Sequence, residues 1–228
     1  EFDSLNTAIR DDTEAPRGRL RLTAPLSFGR MELVPALNDF AAEFPQIELD
    51  VLFTDRMVHL VDEGFDIAVR IGQPRDSSMI ARKLCDMRIV MVGAPDLLDR
   101  LGEPQSPADL ARYECILDSN FQDPNRWPIL APTGQPGTVP VTGRIRYSNA
   151  EACLGAAVAG LGLACVPGFV AAEALGNGQL RQVLSGFEPA PYSFHAIYPH
   201  HRHLAAKIRS LVDFLVRRYR GAQWEMAD

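Results

Sequence analysis

From Gly18 onward, short segments in which apolar and polar residues alternate are separated by stretches with apolar residues at three- and four-residue spacing. A period that switches between two and 3.6 is the pattern of βαβ units around a mostly parallel sheet. Leu20, Leu22 and Ala24 alternate along a first strand that Pro25 ends. Ser27 is placed to cap a helix carrying Leu33, Leu37, Phe40, Ala41 and Phe44, with a kink expected at Pro35. Ile47, Leu49, Val51 and Phe53 alternate with Glu48 and Asp50 as a second strand. Asp55 is then expected to cap a short helix holding Val58, Leu60 and Val61, which Gly64 stops. Phe65, Ile67 and Val69 make a third strand running out at Arg70-Ile71-Gly72, residues 79–84 a fourth, and 88–92 a fifth that leads out of the first unit.

The pattern then restarts. Ser106-Pro107-Ala108-Asp109 reads as a helix start, with a cap, a first-turn proline and an acid where the macrodipole favours it. Residues 115–117 form a brief strand. Five prolines and three glycines between Asn120 and Gly143 exclude a core helix, so loops are expected there, with short strands around 127–130 and 139–145. Ser148-Asn149 caps a helix over 150–159, followed by a buried strand at 163–166, a helix at 169–175, a turn through Gly176-Asn177-Gly178 and a strand at 193–198. A last helix over 204–220 sets Ile208, Leu211, Val212, Leu215, Val216 and Tyr219 against Lys207, Arg209, Arg217 and Arg218. The expected fold class is α/β with two Rossmann-like lobes and a central cleft. Residues 1–16 are the end of a linker, 17–89 with 195–228 lobe I, and 90–194 lobe II. Ligands of such units bind beyond the carboxyl ends of the strands.

Composition narrows the partners. At 228 residues, with 46% hydrophobic and 23% charged residues, the chain is an ordinary globular sequence, neither collagenous nor disordered. No apolar run approaches the ~18 residues of a bilayer span, and the first ten residues carry no export signal, so a cytoplasmic protein without membrane contact is expected. A net charge of −6 and a pI near 5.4 suit it poorly to gripping a DNA duplex by itself. Cys85, Cys115, Cys153 and Cys165 stand far apart, without a Cys-x-x-Cys pair, and read as buried free thiols.

Candidate chemistry gathers at the ends of the strands. Ser27 lies where the first strand gives way to a helix, so its hydroxyl and the backbone N–H groups after it face an anion well; a plain cap is the alternative. Thr54 ends the second strand at the same sheet edge. Arg70 ends the third, and a guanidinium there suits a carboxylate fork, unless it is spent on Asp66 on the same face. In the second unit, Asp118 and Ser119 come after a short strand, Asn149 opens a helix, and Pro167 and Phe169 can give an apolar wall. Asn149 as a simple cap and Phe169 as core remain open.

Other motifs fail on context. Gly160-Leu161-Gly162 comes after a helix and precedes a strand, the reverse of a dinucleotide loop. His200, His201 and His203 fall in a polar turn with no carboxylate or thiol near in sequence, and read as solvated. No nucleophile elbow, Ser-x-x-Lys, His-Glu-x-x-His or P-loop is found, so no catalytic residue, metal or cofactor is expected.

Over nearly the whole chain the ordered segments resemble the effector-binding domain of LysR-type transcriptional regulators. The resemblance is carried by 18–29 (GRLRLTAPLSFG), the Leu-Val-Pro-Ala-Leu-x-x-Phe helix, Phe44-Pro45, and 62–72 (DEGFDIAVRIG). It continues through Asp76-Ser77-Ser78, Ala81-Arg82-Lys83-Leu84, 160–164 (GLGLA), Pro167, Gly178-Gln179-Leu180 and Tyr198-Pro199. It implies a fold similar to type 2 periplasmic binding proteins and a small-molecule effector in the interlobe cleft. The first lobe's candidates for that site are Ser27, Phe28, Thr54, Arg70 and Gly72; the second lobe's are Asp118, Asn149, Pro167 and Phe169. It also implies a homodimer or homotetramer, joined through the helix over 31–44 and a second-unit helix near 94–101 or 150–159. The family's N-terminal winged helix-turn-helix is not in this sequence, so promoter DNA and RNA polymerase are partners only of an intact protein. A solute-binding receptor of a transport system is the rival reading, since it would use the same fold and cleft.

Overall fold

The computed structural model describes residues 15–72, 78–200 and 204–220. They form two compact units. One runs to Cys85 and resumes at Ser193; the other is Asp86–Tyr192.

The first unit is a five-stranded sheet of β1 (Gly18–Ala24), β2 (Ile47–Phe53), β3 (Ile67–Ile71), β4 (Met79–Met87) and β12 (Tyr192–Pro199), in the order β2-β1-β3-β12-β4. β1 is parallel to β2 and β3, and β12 is antiparallel to β3. One face carries Leu20, Leu22, Ala24, Ile67, Val69 and Phe194, all buried, as period two requires. Helix α1 (Leu26–Phe28) runs into a π-helical turn (Gly29–Leu33), then α2 (Val34–Glu43); α6 (Ala206–Tyr219) packs on α2 and β1. Phe28 stacks on Phe194 with centroids 3.9 Å apart, Phe40 meets Phe214 edge-on at 5.4 Å, and Tyr219 Oη donates to Glu32 O at 3.0 Å. The opposite face is covered by a smaller cluster of Leu60, Phe65, Ala68 and Ile197, with Val58, Met79 and Ala81 against it.

Two local expectations change here. The irregularity expected at Pro35 falls one turn earlier, as the π turn, and Pro35 occupies the first turn of α2, where its missing N–H costs little. No helix holds Val58, Leu60 and Val61; Leu60–Gly64 is a turn, closed by Phe65 N–H to Leu60 O at 2.8 Å and by Arg56 on the Glu63 carboxylate at 3.0 and 2.6 Å. The carboxylate expected to cap that helix is used elsewhere: Asp55 Oδ1 accepts the Leu26 N–H at 3.0 Å.

The second unit holds a sheet of β5 (Ile89–Gly93), β6 (Cys115–Asp118), β9 (Ile145–Tyr147), β10 (Leu163–Pro167) and β11 (Arg181–Val183), ordered β11-β5-β10-β6-β9. β10, β6 and β9 run parallel, and β5 is antiparallel to both β10 and β11. Helices α3 (Pro95–Leu101), α4 (Ala150–Val158) and α5 (Gly168–Gly176) accompany it, together with an antiparallel ribbon of β7 (Arg126–Leu130) and β8 (Pro136–Pro140). The start at Ser106 gives a 3-10 helix (Pro107–Arg112), in which Asp109 Oδ2 accepts from the N–H groups of Gln105 and Ser106 at 3.0 and 2.9 Å. The strand expected over 139–145 is interrupted between Pro140 and Ile145. At Gly143 an added Cβ would stand 1.7 Å from the Cys115 carbonyl oxygen, so backbone runs against backbone there. The linker expected at 1–16 lies almost wholly outside the described residues, as do Asp76, Ser77, His201 and His203.

Candidate functional site

In the first unit the parallel strands end together. Ala24 pairs with Phe53 and Thr23 with Ala68, so the chain leaving β1, β2 and β3 emerges along one edge, and Thr54 N–H continues the pairing to Ala24 O at 2.8 Å. Ser27 is not the cap expected from sequence. Pro25 takes that position, Ser27 is buried inside α1, and Asp55 accepts the first N–H of the helix, that of Leu26. Thr54 Oγ1 accepts the Arg56 N–H at 3.2 Å. Phe28 is turned into the core against Phe194, whereas Gly72 is exposed, with a φ of 80° that favours glycine, and donates its N–H to Ser193 O at 2.9 Å.

Arg70 brings a guanidinium to this edge. Its Nη2 donates to Thr23 Oγ1 and its Nη1 to Val69 O, both at 2.9 Å. The ion pair weighed for it, with Asp66, does not form. Asp66 instead accepts from Lys207 Nζ at 3.0 Å and from the Arg21 N–H at 2.8 Å, tying α6 to the sheet. Burial lowers the Arg70 pKa from the usual arginine value, and the nearby Arg56 adds to this while Asp55 opposes it. Directly across the antiparallel register from Arg70 stands His195. Sequence reasoning passed over it, because one imidazole in an apolar strand gives no local signal.

The second unit also gathers its expected residues along a carboxyl edge. Asp118 ends β6, buried, with Oδ1 accepting the Asn120 N–H at 2.9 Å. Ser119 N–H donates to Tyr147 O at 2.8 Å, and Asn120 Nδ2 to Ser148 O at 3.0 Å, joining the ends of β6 and β9. Asn149 Oδ1 accepts the Ala152 N–H at 3.0 Å, so it does cap α4. Pro167 closes β10 and precedes α5, and Phe169 is buried in that helix. Burial pushes the Cys153 thiol up to about 12, with the Asp118 charge adding to it, and its Sγ lies 3.8 Å from Leu117 O. Among the described residues, no group of three or more His, Cys, Asp or Glu could hold a metal ion, and no helix is long and apolar enough to cross a membrane.

These edges, on two sheets with β3-β12 and β10-β5 antiparallel steps, can be compared with known proteins. The LysR substrate binding domain family matches residues 13–220. The chain belongs to that family. Among curated LysR-type relatives, the HTH-type transcriptional regulator PtxR of Pseudomonas aeruginosa is 33% identical over 215 residues, covering 94% of this chain and 69% of the relative. An uncharacterized HTH-type regulator of Haemophilus influenzae is 29% identical over 211 residues, covering 92% and 73%. The solved regulatory domain of CrgA, a LysR-type regulator from Neisseria meningitidis, superposes with a TM-score of 0.78 at 26% identity, covering 90% of this chain and all of that one. Full-length AphB of Vibrio cholerae gives 0.80 at 26%, covering 96% and 74%. The domain is thus a LysR-type effector-binding domain with a fold like that of type 2 periplasmic binding proteins. The relatives named are transcriptional regulators, which does not favour the transport-receptor reading.

Proposed function

We propose that this LysR-type domain binds a small anionic effector through its carboxyl-edge residues. Binding then controls DNA binding and transcription by the intact regulator, in the cytoplasm and as a homodimer or homotetramer. Residues 17–89 with 195–228 act as one lobe and 90–194 as the other. A ligand that favours one arrangement of the protein over another shifts the balance between them by its differential affinity. The observation that carries the anionic reading is Arg70: a partly buried guanidinium at the end of β3 that donates to a hydroxyl and a carbonyl and, among the described residues, to no carboxylate. A fixed cation of this kind is completed by an anion.

A thermal-shift screen of small carboxylates, followed by calorimetry on the hits, tests the reading. Compounds that raise the melting temperature should be anions and should be recovered unchanged, as from a sensor rather than an enzyme. Arg70→Met should cost about 1.5–3 kcal/mol, roughly a 10- to 150-fold loss of affinity, with the fold intact. Affinity unchanged in the variant would take Arg70 out of the site.

A further inference from the structure

The strongest unused feature of the first unit is the side chain across the sheet from Arg70. His195 and Arg70 are register partners on adjacent antiparallel strands, and side chains so opposed share one face of the sheet. His195 is 5% exposed, and its Nδ1 is buried without a hydrogen-bond partner among the described residues. A buried polar nitrogen left in this state is destabilising, and such groups in native proteins call for an explanation. Beside it the guanidinium donates to neutral oxygens; Asp66 pairs with Lys207, and Asp55, which accepts the Leu26 N–H, acts on Arg70 by its charge without a hydrogen bond to it. Thr23, next to Arg70 on the same face, supplies a hydroxyl. Two nitrogens able to donate therefore face each other across the register, neither hydrogen-bonded to a carboxylate among the described residues.

We propose that His195 is a specificity-determining residue which, with Arg70, seats the carboxylate of the effector, the His195 Nδ1–H donating to one oxygen and the guanidinium to the other. This rests on the effector-binding reading and moves the anion from the start of α1, where Asp55 already lies, to the β3-β12 pair. Two oxygens on one carbon match two adjacent donors. A phosphate dianion would bring more charge than one guanidinium balances, so carboxylates should be preferred to phosphate. The same arrangement makes the ligand-free site costly to the fold, because the imidazole nitrogen is satisfied only when the ligand is present.

The test uses benzoate and inorganic phosphate as probes of the 15N-labelled domain at constant ionic strength, up to about 50 mM, well past the millimolar range of weak sites. The His195 ring signals are assigned by their loss in His195→Leu. Benzoate should shift them saturably, and phosphate should do so more weakly. His195→Leu and Arg70→Gln should each weaken benzoate binding at least about 10-fold. His195→Asn, which keeps a donor near the Nδ1 position, should restore most of the affinity, and ligand-free His195→Leu should melt no lower than the parent.

No saturable response of His195 to benzoate overturns the assignment, and a response to phosphate as strong as to benzoate overturns its carboxylate preference. If Arg70→Gln loses benzoate while His195→Leu keeps it within twofold, the His195 role falls and the anionic-effector reading stands. If neither variant changes the affinity, both fall. A ligand-free His195→Leu that melts well below the parent makes His195 a structural residue instead.

Discussion

At the scale of single residues, burial sets the chemistry of the thiols. Cys115 is pushed up to about 12, chiefly by burial with Glu114 adding to it, and Cys153 to about 12; the fully enclosed Cys165 is raised as well. The thiolate is the nucleophile, so at pH 8 only about one thiol in ten thousand is reactive at a pKa near 12. Iodoacetamide should therefore alkylate Cys115 and Cys153 orders of magnitude more slowly in the folded chain than in denaturant, as read by mass spectrometry. Labelling of either at the rate of a free thiol would contradict the packing. Arg70 shows how far one residue can be read from sequence. Its place at the end of an alternating strand put it on the sheet edge, but its partner was not legible, because Lys207 reaches Asp66 from the far end of the chain.

At the scale of elements, the caps and close approaches decide. The carboxylate of Asp109 accepts from Ser106 and Gln105 ahead of the 3-10 helix, and those hydrogen bonds hold its pKa below the usual aspartate value. A folded-state pKa below the unfolded one gives stability that is present above about pH 4 and lost as pH falls through the folded value. Asp109→Ala should thus lower the melting temperature at pH 7, and the gap between variant and parent should shrink below about pH 4. A gap independent of pH would contradict the capping role. Gly143→Ala drives a methyl group into the Cys115 carbonyl where β6 meets the segment before β9, and backbone cannot yield as a side-chain tip would. It should destabilise by roughly 1–3 kcal/mol or more, measured by urea unfolding. The helix expected over 58–61 shows the limit of local reasoning. Asp55 is a good cap in isolation, but the fold brings the Leu26 N–H at the start of α1 within its reach, and the segment it leaves closes as a turn through Arg56 and Glu63.

At the scale of the molecule, a net charge of −6 opposes a polyanion. This chain alone should give no sequence-dependent mobility shift with promoter fragments at moderate salt, and such a shift would place a DNA-reading surface on the domain itself. The family resemblance predicts self-association through the segment from Met31 to Phe44, whose exposed positions include Asp39 and Glu43. Sedimentation at tens of micromolar, about the range of weak homodimers, should show a species heavier than 25.1 kDa; a single species of that mass would count against the interface.

The sequence by itself determined the features that short-range pattern dictates. Alternation placed β1, β2 and β3 because one face of each must be buried, helical spacing placed α2 and α6, and Asn149 capped α4 because its carboxamide reaches an N–H three residues on. Only the tertiary structure decided where the polar groups found partners. Asp55 went to Leu26, Asp66 to Lys207, and His195 came to lie opposite Arg70 with its Nδ1 unsatisfied among the described residues. Burial of apolar faces is periodic and therefore written locally, whereas hydrogen bonds and charges are satisfied by whichever group the sheet register brings within reach.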